Sequence, residues 1–158
     1  VLTVIYLVFN EGYASTHGEC LVRTDLCMEA IRLARIVRML LAPYPPAEVT
    51  GLLALMLLHD SRRDARVDSA GDLVVLEEQD RGLWNQDQIA QALPLVRQAI
   101  ASPVAGPYAV QAAIAIDNHV ATEKAIIIPK PVVHATQILV DHNRVPGVAR
   151  KVKRAPLS

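Results

Sequence analysis

The sequence predicts an all-α fold built from antiparallel helix pairs, and three observations support this prediction. Apolar residues make up 52% of the 158 residues and aromatic residues only 4%, so the core must consist mainly of Leu, Ala, Val and Ile. A core of this kind favours helices packed on helices. Apolar residues also recur at helical spacing, and short breaks containing Pro or Gly separate the helical segments. This succession of helices and short breaks resembles a tetratricopeptide-like helical stack, although no sequence motif repeats at a fixed period.

The first half of the chain contains three predicted helices. Leu2–Phe9 is the first, or at least a buried segment, and it should end near Gly12 because glycine commonly terminates helices. Thr24 or Asp25 is placed to cap the second helix. Its apolar face is Leu26, Ala30, Leu33, Val37 and Leu40, with Arg32, Arg35 and Arg38 on the other side. Three prolines end that helix, and the apolar segment Val49–Leu58 predicts a third helix that is buried on most sides.

The second half of the body is predicted to contain a short connector and two further helices: Leu73–Leu76, Gln88–Ala101 and Tyr108–Ile116. The connector has no partner strand, so an extended or early helical conformation is favoured over a β-strand. Asn85 or Asp87 is placed to cap the helix that follows. Pro94 should kink this helix unless the helix restarts there. In the last helix, alanines on the apolar face would permit a close approach to a neighbour.

Charge divides the chain near residue 123. Residues 1–123 contain nine arginines, no lysine and fifteen acidic residues, a net charge of −6. Residues 124–158 contain all four lysines, three arginines and one acidic residue, a net charge of +6. We interpret 1–123 as one helical domain and 124–158 as an irregular basic tail, in which the change of composition suggests a truncated, misassembled or frameshifted reading frame. The acidic body would be repelled by nucleic-acid phosphates, which argues against DNA binding by this part.

The most informative segment is Gly51–Trp84, where an apolar helix leads directly into charged residues of both signs. The charged residues are Asp60, Arg62, Arg63, Asp64, Arg66, Asp68, Asp72, Glu77, Glu78, Asp80 and Arg81. Paired carboxylates are the groups that general acid–base chemistry uses. Here the neighbouring arginines make internal ion pairs the commoner explanation. The cluster is therefore interpreted either as a rigid polar corner of the domain or as a docking surface.

Two groups of possible metal ligands give weak signals. His59-Asp60 resembles the metal-binding pair of HD phosphohydrolases, but adjacent helix residues point about 100° apart and further ligands are needed. The favoured explanation is that His59 lies at a helix C-terminus and interacts with the helix dipole. Cys20 and Cys27, with His17, lack the spacing of a zinc site. A reduced cysteine pair in a cytoplasmic protein is expected. No phosphate-binding loop or nucleophile motif is present, so neither a cofactor nor an enzymatic activity is predicted.

Four blocks of sequence, in order, resemble one bacterial family. They are Tyr6–Tyr13, Leu26–Arg35, Gly51–Arg63 and Leu76–Trp84. They resemble the C-terminal extension of a group of extracytoplasmic-function RNA polymerase sigma factors, in which a tetratricopeptide-like helical domain follows the usual sigma regions. The resemblance covers about residues 1–116 and includes 111–115. The sigma regions would precede Val1, and the family would continue after Ile116 with an acidic, Trp-containing segment, so the chain is expected to be a fragment.

The resemblance implies a regulatory module in transcription initiation that docks on the other sigma regions or on core RNA polymerase. DNA would be contacted only through regions absent from this chain, and no membrane partner is expected because no apolar run reaches the roughly 18 residues of a membrane span. The predicted docking surface consists of Asp60, Arg62, Arg63, Asp80, Arg81 and Trp84, with Asn10, Glu11, Gly12 and Tyr13 as a second candidate. The competing interpretation is a buried polar corner that joins the two halves of the domain.

Two other classes of function stay open at the level of sequence. One is a free-standing helical-repeat scaffold that binds a partner peptide along a concave face. The other is a metal-dependent hydrolase centred on His59-Asp60.

Overall fold

The structure is a computed structural model that describes residues 1–14 and 20–120. Within those ranges the α-helices are α1 (Leu2–Ala14), α2 (Cys20–Leu40), α3 (Ala47–Asp60), α4 (Gln86–Ile100) and α5 (Pro107–Val120). Three short 3-10 turns between α3 and α4 are Arg63–Ala65, Leu76–Glu78 and Arg81–Leu83. The described residues form no β-sheet, so the predicted all-α fold is confirmed. The predicted basic tail, 124–158, lies outside the described residues.

Helix α3 is the centre of the fold, as its apolar sequence predicts. Every residue from Val49 to Leu58 is buried, and α3 contacts each of the other four α-helices. A helix buried on all sides needs no polar face, which explains why its apolar residues are continuous rather than periodic. Each large aliphatic side chain that is fully buried contributes about 1.5–3 kcal/mol. None of the helices in the described ranges is both long and apolar enough to cross a membrane.

Contacts at both ends show that α3 and α5 run in the same direction. At their starts, the carboxylate of Glu48 accepts hydrogen bonds from the backbone N–H groups of Tyr108 and Ala109, over 3.3 and 3.2 Å. At their ends, the hydroxyl oxygen of Ser61 lies 3.2 Å from His119 Nε2. Glu48 thus satisfies unpaired N–H groups in the first turn of α5 and complements the positive end of its dipole.

Helices α1 and α4 complete an alternating arrangement around α3. The rings of Tyr13, at the end of α1, and His59, at the end of α3, are 5.3 Å apart. Asp60, at the end of α3, accepts a hydrogen bond of 2.7 Å from Gln88 at the start of α4. Helices α1, α3 and α5 therefore end on the same side of the molecule, whereas α4 runs antiparallel to α3. This alternation is the pattern of stacked helix hairpins.

The backbones of α3 and α5 come closest at Gly51. A Cβ atom at this position would lie 2.5 Å from the backbone nitrogen of Ala109 and 2.6 Å from its Cα. Ala112 and Ala113 of α5 are fully buried. The small side chains predicted to permit a close approach are therefore located in the helix interface, and glycine is required where backbone meets backbone.

The end of α1 differs from the prediction. The helix continues past Gly12 to Ala14, because Tyr13 is held by a contact within α1 and by contacts from residues far away in the sequence. The Tyr13 ring stacks on the Phe9 ring, with 5.5 Å between the two centroids. The Arg66 guanidinium carbon lies 3.6 Å from the centroid of the Tyr13 ring. A glycine within a helix costs only about 1 kcal/mol relative to alanine, and these tertiary contacts outweigh that cost.

The predicted caps of α2 and α4 have different outcomes. Helix α2 begins at Cys20, so the prediction that Thr24 or Asp25 caps it is wrong. Leu and Arg residues precede Thr24, and both types favour a helix interior. For α4, the cap is Asn85, whose side chain accepts a hydrogen bond of 3.1 Å from a backbone N–H of the first turn. The helix continues through Pro94.

Candidate functional site

The C-terminal ends of α1, α3 and α5 converge on a set of polar side chains, which we call the polar corner. It comprises Tyr13, His59, Asp60, Ser61, Arg62, Arg63, Arg66, Trp84, Gln88 and His119. Each helix end carries partial negative charge on its unpaired carbonyl groups. The three arginines therefore complement three converging helix ends. This electrostatic match accounts for the several arginines of the polar corner, and no bound ligand is needed to explain them.

Asp60 uses both of its carboxylate oxygens inside the domain. Oδ1 accepts a hydrogen bond from the Arg63 guanidinium, and Oδ2 accepts one from the Gln88 side-chain amide over 2.7 Å. The residue is only 7% exposed. Asp60 thus joins the end of α3 to the turn that follows it and to the start of α4.

His59 is a neutral imidazole in this corner. Arg62 Nη2 lies 3.0 Å from His59 Nδ1, and since a guanidinium only donates, Nδ1 must be the acceptor. Burial, followed by the charge of Arg62, lowers the pKa of His59 to about 3. Across residues 1–14 and 20–120, no group of three or more His, Cys, Asp or Glu side chains is arranged to hold a metal ion. The geometry therefore gives no support to a hydrolase centred on His59-Asp60.

Arg66 attaches the end of α1 to the corner. Its Nη1 donates a hydrogen bond of 2.7 Å to the Tyr13 carbonyl oxygen, which belongs to the last turn of α1. Its guanidinium also lies over the Tyr13 ring, in the geometry of a cation–π contact. Sequence reasoning placed Arg66 in the charged cluster but did not predict this partner, because the two residues are 53 positions apart.

A serine and a histidine meet in the corner, but they do not form a nucleophilic site. His119 Nδ1 lies 2.7 Å from the Ala115 carbonyl oxygen, which requires a proton on Nδ1 and leaves Nε2 as an acceptor in the neutral ring. The Ser61 hydroxyl lies 3.2 Å from that Nε2 and 2.7 Å from the Leu58 carbonyl oxygen. Ser61 is buried and the Trp84 ring covers His119 at 4.6 Å between centroids. The Ser61 hydroxyl hydrogen is donated to the Leu58 carbonyl oxygen and so is not shared with His119.

The predicted docking residues divide by exposure. Three of them are buried in the domain, Asp60, Arg62 and Trp84, with exposed fractions of 7%, 9% and 4%. Glu11, Asp80 and Arg81 are exposed, and Asn10, Gly12, Tyr13 and Arg63 are partly buried. The structure brings Tyr13 into the same corner as Asp60 and Arg62, so the two predicted groups meet. The side chains of the buried three contact the domain itself, and docking stays a prediction for the exposed residues.

Cys27 is a buried structural thiol. Its Sγ donates a weak hydrogen bond to the Phe9 carbonyl oxygen over 3.5 Å, which joins α2 to α1. Burial raises the pKa of Cys27 to about 11. The thiol is therefore protonated at neutral pH and is neither a nucleophile nor a ready metal ligand. The other members of the weak metal group cannot be placed beside it, since His17 and the Cys20 side chain lie outside the described residues.

The two partly buried histidines of the polar corner predict that acid destabilises the protein. The unfolded chain protonates His59 near its ordinary pKa of about 6.5, whereas the folded chain does so only near 3. The unfolded state therefore binds more protons in this window, and stability is lost as the pH falls from 6.5 towards 3. Burial lowers the pKa of His119 as well, which acts in the same direction.

We expect the free energy of unfolding to fall by about 2 kcal/mol between pH 7 and pH 5 from His59 alone. Urea unfolding at several pH values measures this change. The His59→Gln variant, which removes the titrating group, should show a flatter dependence. An equally steep dependence in that variant would show that His59 is not the group responsible.

An irregular segment, residues 67–83, follows the corner and is called the exposed loop below. Side chains within it maintain its conformation. Asp68 Oδ1 accepts hydrogen bonds from the backbone N–H groups of Ala70 and Asp72, over 2.8 and 2.9 Å. Asp80 Oδ1 accepts one from the N–H of Gly82 over 2.8 Å. Ordered irregular segments of this length in a compact domain are often functional.

The exposed loop presents apolar side chains among charges. Leu73, Val75 and Leu83 are 55%, 55% and 53% exposed, and Glu77 and Glu78 are exposed nearby. The connector predicted at Leu73–Leu76 forms no strand, apart from an isolated bridge between Val67 and Leu73. Exposed apolar side chains that share a surface with charges are typical of protein contact sites.

Comparison with known proteins gives a family but no function. The profile of a family of unknown function, DUF6596, matches residues 1–100, which include the exposed loop and all of the polar corner except His119. The chain belongs to this family. A relative from Rhizobium meliloti (strain 1021), described as an uncharacterized protein, is 50% identical over 115 residues, which are 73% of this chain and 27% of the relative. The chain thus spans well under half the length of that relative. No solved structure matches the chain.

Proposed function

We propose that this chain is a regulatory module of a bacterial RNA polymerase sigma factor. It modulates transcription initiation by docking on the other sigma regions or on core RNA polymerase. The observation that carries the docking part of the proposal is the exposed loop, which is ordered, presents Leu73, Val75 and Leu83 to solvent, and is attached at both ends to the buried polar corner.

The comparisons are compatible with a module of a longer protein. The four blocks that resemble the sigma-factor extension all lie within the residues that match DUF6596. The matched region makes up 27% of the length of the Rhizobium meliloti relative, so that protein has ample length for further regions. The assignment to sigma factors itself depends on the sequence resemblance.

The structure of the loop supports a docking role in physical terms. The three exposed apolar side chains provide contact area, and the surrounding charges provide orientation and specificity rather than raw affinity. Because hydrogen bonds within the loop already fix its backbone, binding would lose little conformational entropy. The polar corner beneath it holds the helix ends and so keeps the loop in place.

A binding experiment tests the loop directly. This chain is titrated into a complex of core RNA polymerase with the Rhizobium meliloti relative expressed without its matched region, and binding is followed by fluorescence anisotropy. We expect the triple variant Leu73→Asp, Val75→Asp, Leu83→Asp to bind at least about ten-fold more weakly than the wild type. Its melting temperature should change little, because the three side chains are exposed.

A matched control uses apolar residues of similar exposure on another face. Val4, Leu7 and Met28 are 62%, 61% and 59% exposed on α1 and α2. The variant Val4→Asp, Leu7→Asp, Met28→Asp should bind like the wild type. The proposal fails if the wild type does not bind, or if the control variant loses binding while the loop variant keeps it.

A further inference from the structure

A cavity of about 300 Å³ lies at the other end of α4 from the polar corner. It opens to solvent and is lined by the second half of α2, the segment 41–45, one residue of α3 and the last turn of α4. Arg35, Arg38 and Gln98 supply its polar groups, and Met39, Pro43 and Leu53 are among its apolar walls. Gln98 is ten residues from Gln88, so about 15 Å of helix separates this cavity from the corner.

The two arginines of the cavity are positioned by neutral groups. Arg35 Nη2 donates to the side-chain oxygen of Gln91, and Arg38 Nη2 donates to that of Gln98, each over 2.9 Å. These hydrogen bonds hold both guanidinium groups between α2 and α4. An amide oxygen carries no net charge, so neither positive charge is neutralised by its partner.

Unpaired charge distinguishes these arginines from their neighbour. Arg32, one turn earlier on α2, forms an ion pair of 2.6 Å with Glu29. Among the described residues no carboxylate lies within 4.0 Å of Arg35 or Arg38. In addition, Arg38 Nε is shielded from solvent and has no hydrogen-bond partner in the described part of the chain. Two like charges three residues apart on a helix repel each other, and a bound anion removes that repulsion.

The surroundings of the cavity indicate what kind of anion fits. Exposed apolar side chains lie in the cavity wall and next to it along the chain: Met39, which lines the cavity, and its sequence neighbours Leu40, Leu41 and Tyr44. An apolar surface that extends beyond the cavity suits a polypeptide better than an isolated small carboxylate. The chain's own basic segment, 124–158, has the wrong charge for this site.

We propose that this cavity binds an acidic segment of a partner protein. A carboxylate of that segment accepts hydrogen bonds from the Arg35 and Arg38 guanidinium groups, and an adjacent apolar side chain packs against Met39 and Leu53. The site is separate from the exposed loop and does not depend on the sigma-factor assignment.

The test uses the full 158-residue chain and a synthetic probe, the N-acetylated and C-amidated octapeptide Gly-Ser-Glu-Leu-Glu-Leu-Gly-Ser. NMR of the arginine Nε–Hε groups follows its binding. We expect the signals of Arg35 and Arg38 to shift, and those of Arg97, an exposed arginine on α4, to stay unchanged. The counterpart peptide with glutamine in place of glutamate should bind at least about ten-fold more weakly, because it lacks the charge-assisted hydrogen bonds. This comparison needs no variant protein.

Variants give a second readout. The double variant Arg35→Gln, Arg38→Gln should lose binding of the glutamate peptide, whereas Arg97→Gln should keep it. Equal binding of the two peptides, or no binding of either, overturns the proposal. Two further outcomes would assign the cavity to another occupant and so overturn the proposal. If glutarate produces the same shifts at a lower concentration than the peptide, the cavity binds small carboxylates. If the chain self-associates and the double variant abolishes this association, the cavity binds a second copy of the chain.

Discussion

Replacing Gly51 by alanine is expected to lower the free energy of unfolding by about 3 kcal/mol, although the same change inside an ordinary helix raises it by about 1 kcal/mol. The added Cβ would lie 2.5 Å from the backbone nitrogen of Ala109 and 2.9 Å from the carbonyl carbon of Tyr108. Backbone atoms cannot rotate away as a side chain does, so α3 and α5 must separate. Because α3 contacts every other α-helix of the described fold, this separation disturbs the whole core.

Urea unfolding of the full chain measures the effect of Gly51→Ala, and Gly82→Ala provides the matched control. At Gly82 the nearest atom to an added Cβ is Asp80 Oδ1 at 3.1 Å, the end of an exposed side chain that can move. We expect that variant to change stability by less than about 1 kcal/mol. If Gly51→Ala were as stable as the wild type, the close packing of α3 against α5 would be refuted.

Replacing Asp60 by alanine is expected to cost about 3 kcal/mol of stability. The change leaves the Arg63 guanidinium and the Gln88 amide without their acceptor at a site that is 7% exposed. The Arg63 side chain is 32% exposed, so water partly compensates its loss and the effect should stay below that of a fully buried pair. Chemical denaturation measures the loss.

Asp64→Ala is the control for Asp60→Ala, since Asp64 is an exposed carboxylate only four residues further along. Its replacement should change stability by less than about 0.5 kcal/mol. The two aspartates look alike in the sequence, so a difference between them depends on burial. An Asp60→Ala variant with unchanged stability but lost partner binding would show that Asp60 belongs to a docking surface and not to the internal corner.

The helices could be predicted because their signals are local. The nearly continuous apolar segment Val49–Leu58 indicated a buried central helix, and Asn85 was one of the two caps predicted for α4. The end of α1 could not be predicted, since Tyr13 is held in the helix by His59 and Arg66, which are about fifty positions away. Local propensity is a weak signal where such tertiary contacts act.

The candidate sites were predictable only in part, and for a similar reason. The charged cluster after α3 was visible in the sequence, but the sequence does not show which of its members are buried. Ser61 and His119 are 58 positions apart, so no spacing rule connects them. Arg35 and Arg38 were predicted to lie opposite the apolar face of α2, and only the position of α4 shows that these partly solvated side chains also line a cavity.

Transcription in vitro is the most direct test of the proposed function. Core RNA polymerase is combined with the Rhizobium meliloti relative, either complete or without its matched region, and promoter-dependent transcript is measured. The proposal predicts that removing the region changes transcript yield several-fold, and that this chain added separately restores the original yield whereas the Leu73→Asp, Val75→Asp, Leu83→Asp variant does not. A relative that directs no promoter-dependent transcription, or one unaffected by removal of the region, would contradict the proposal.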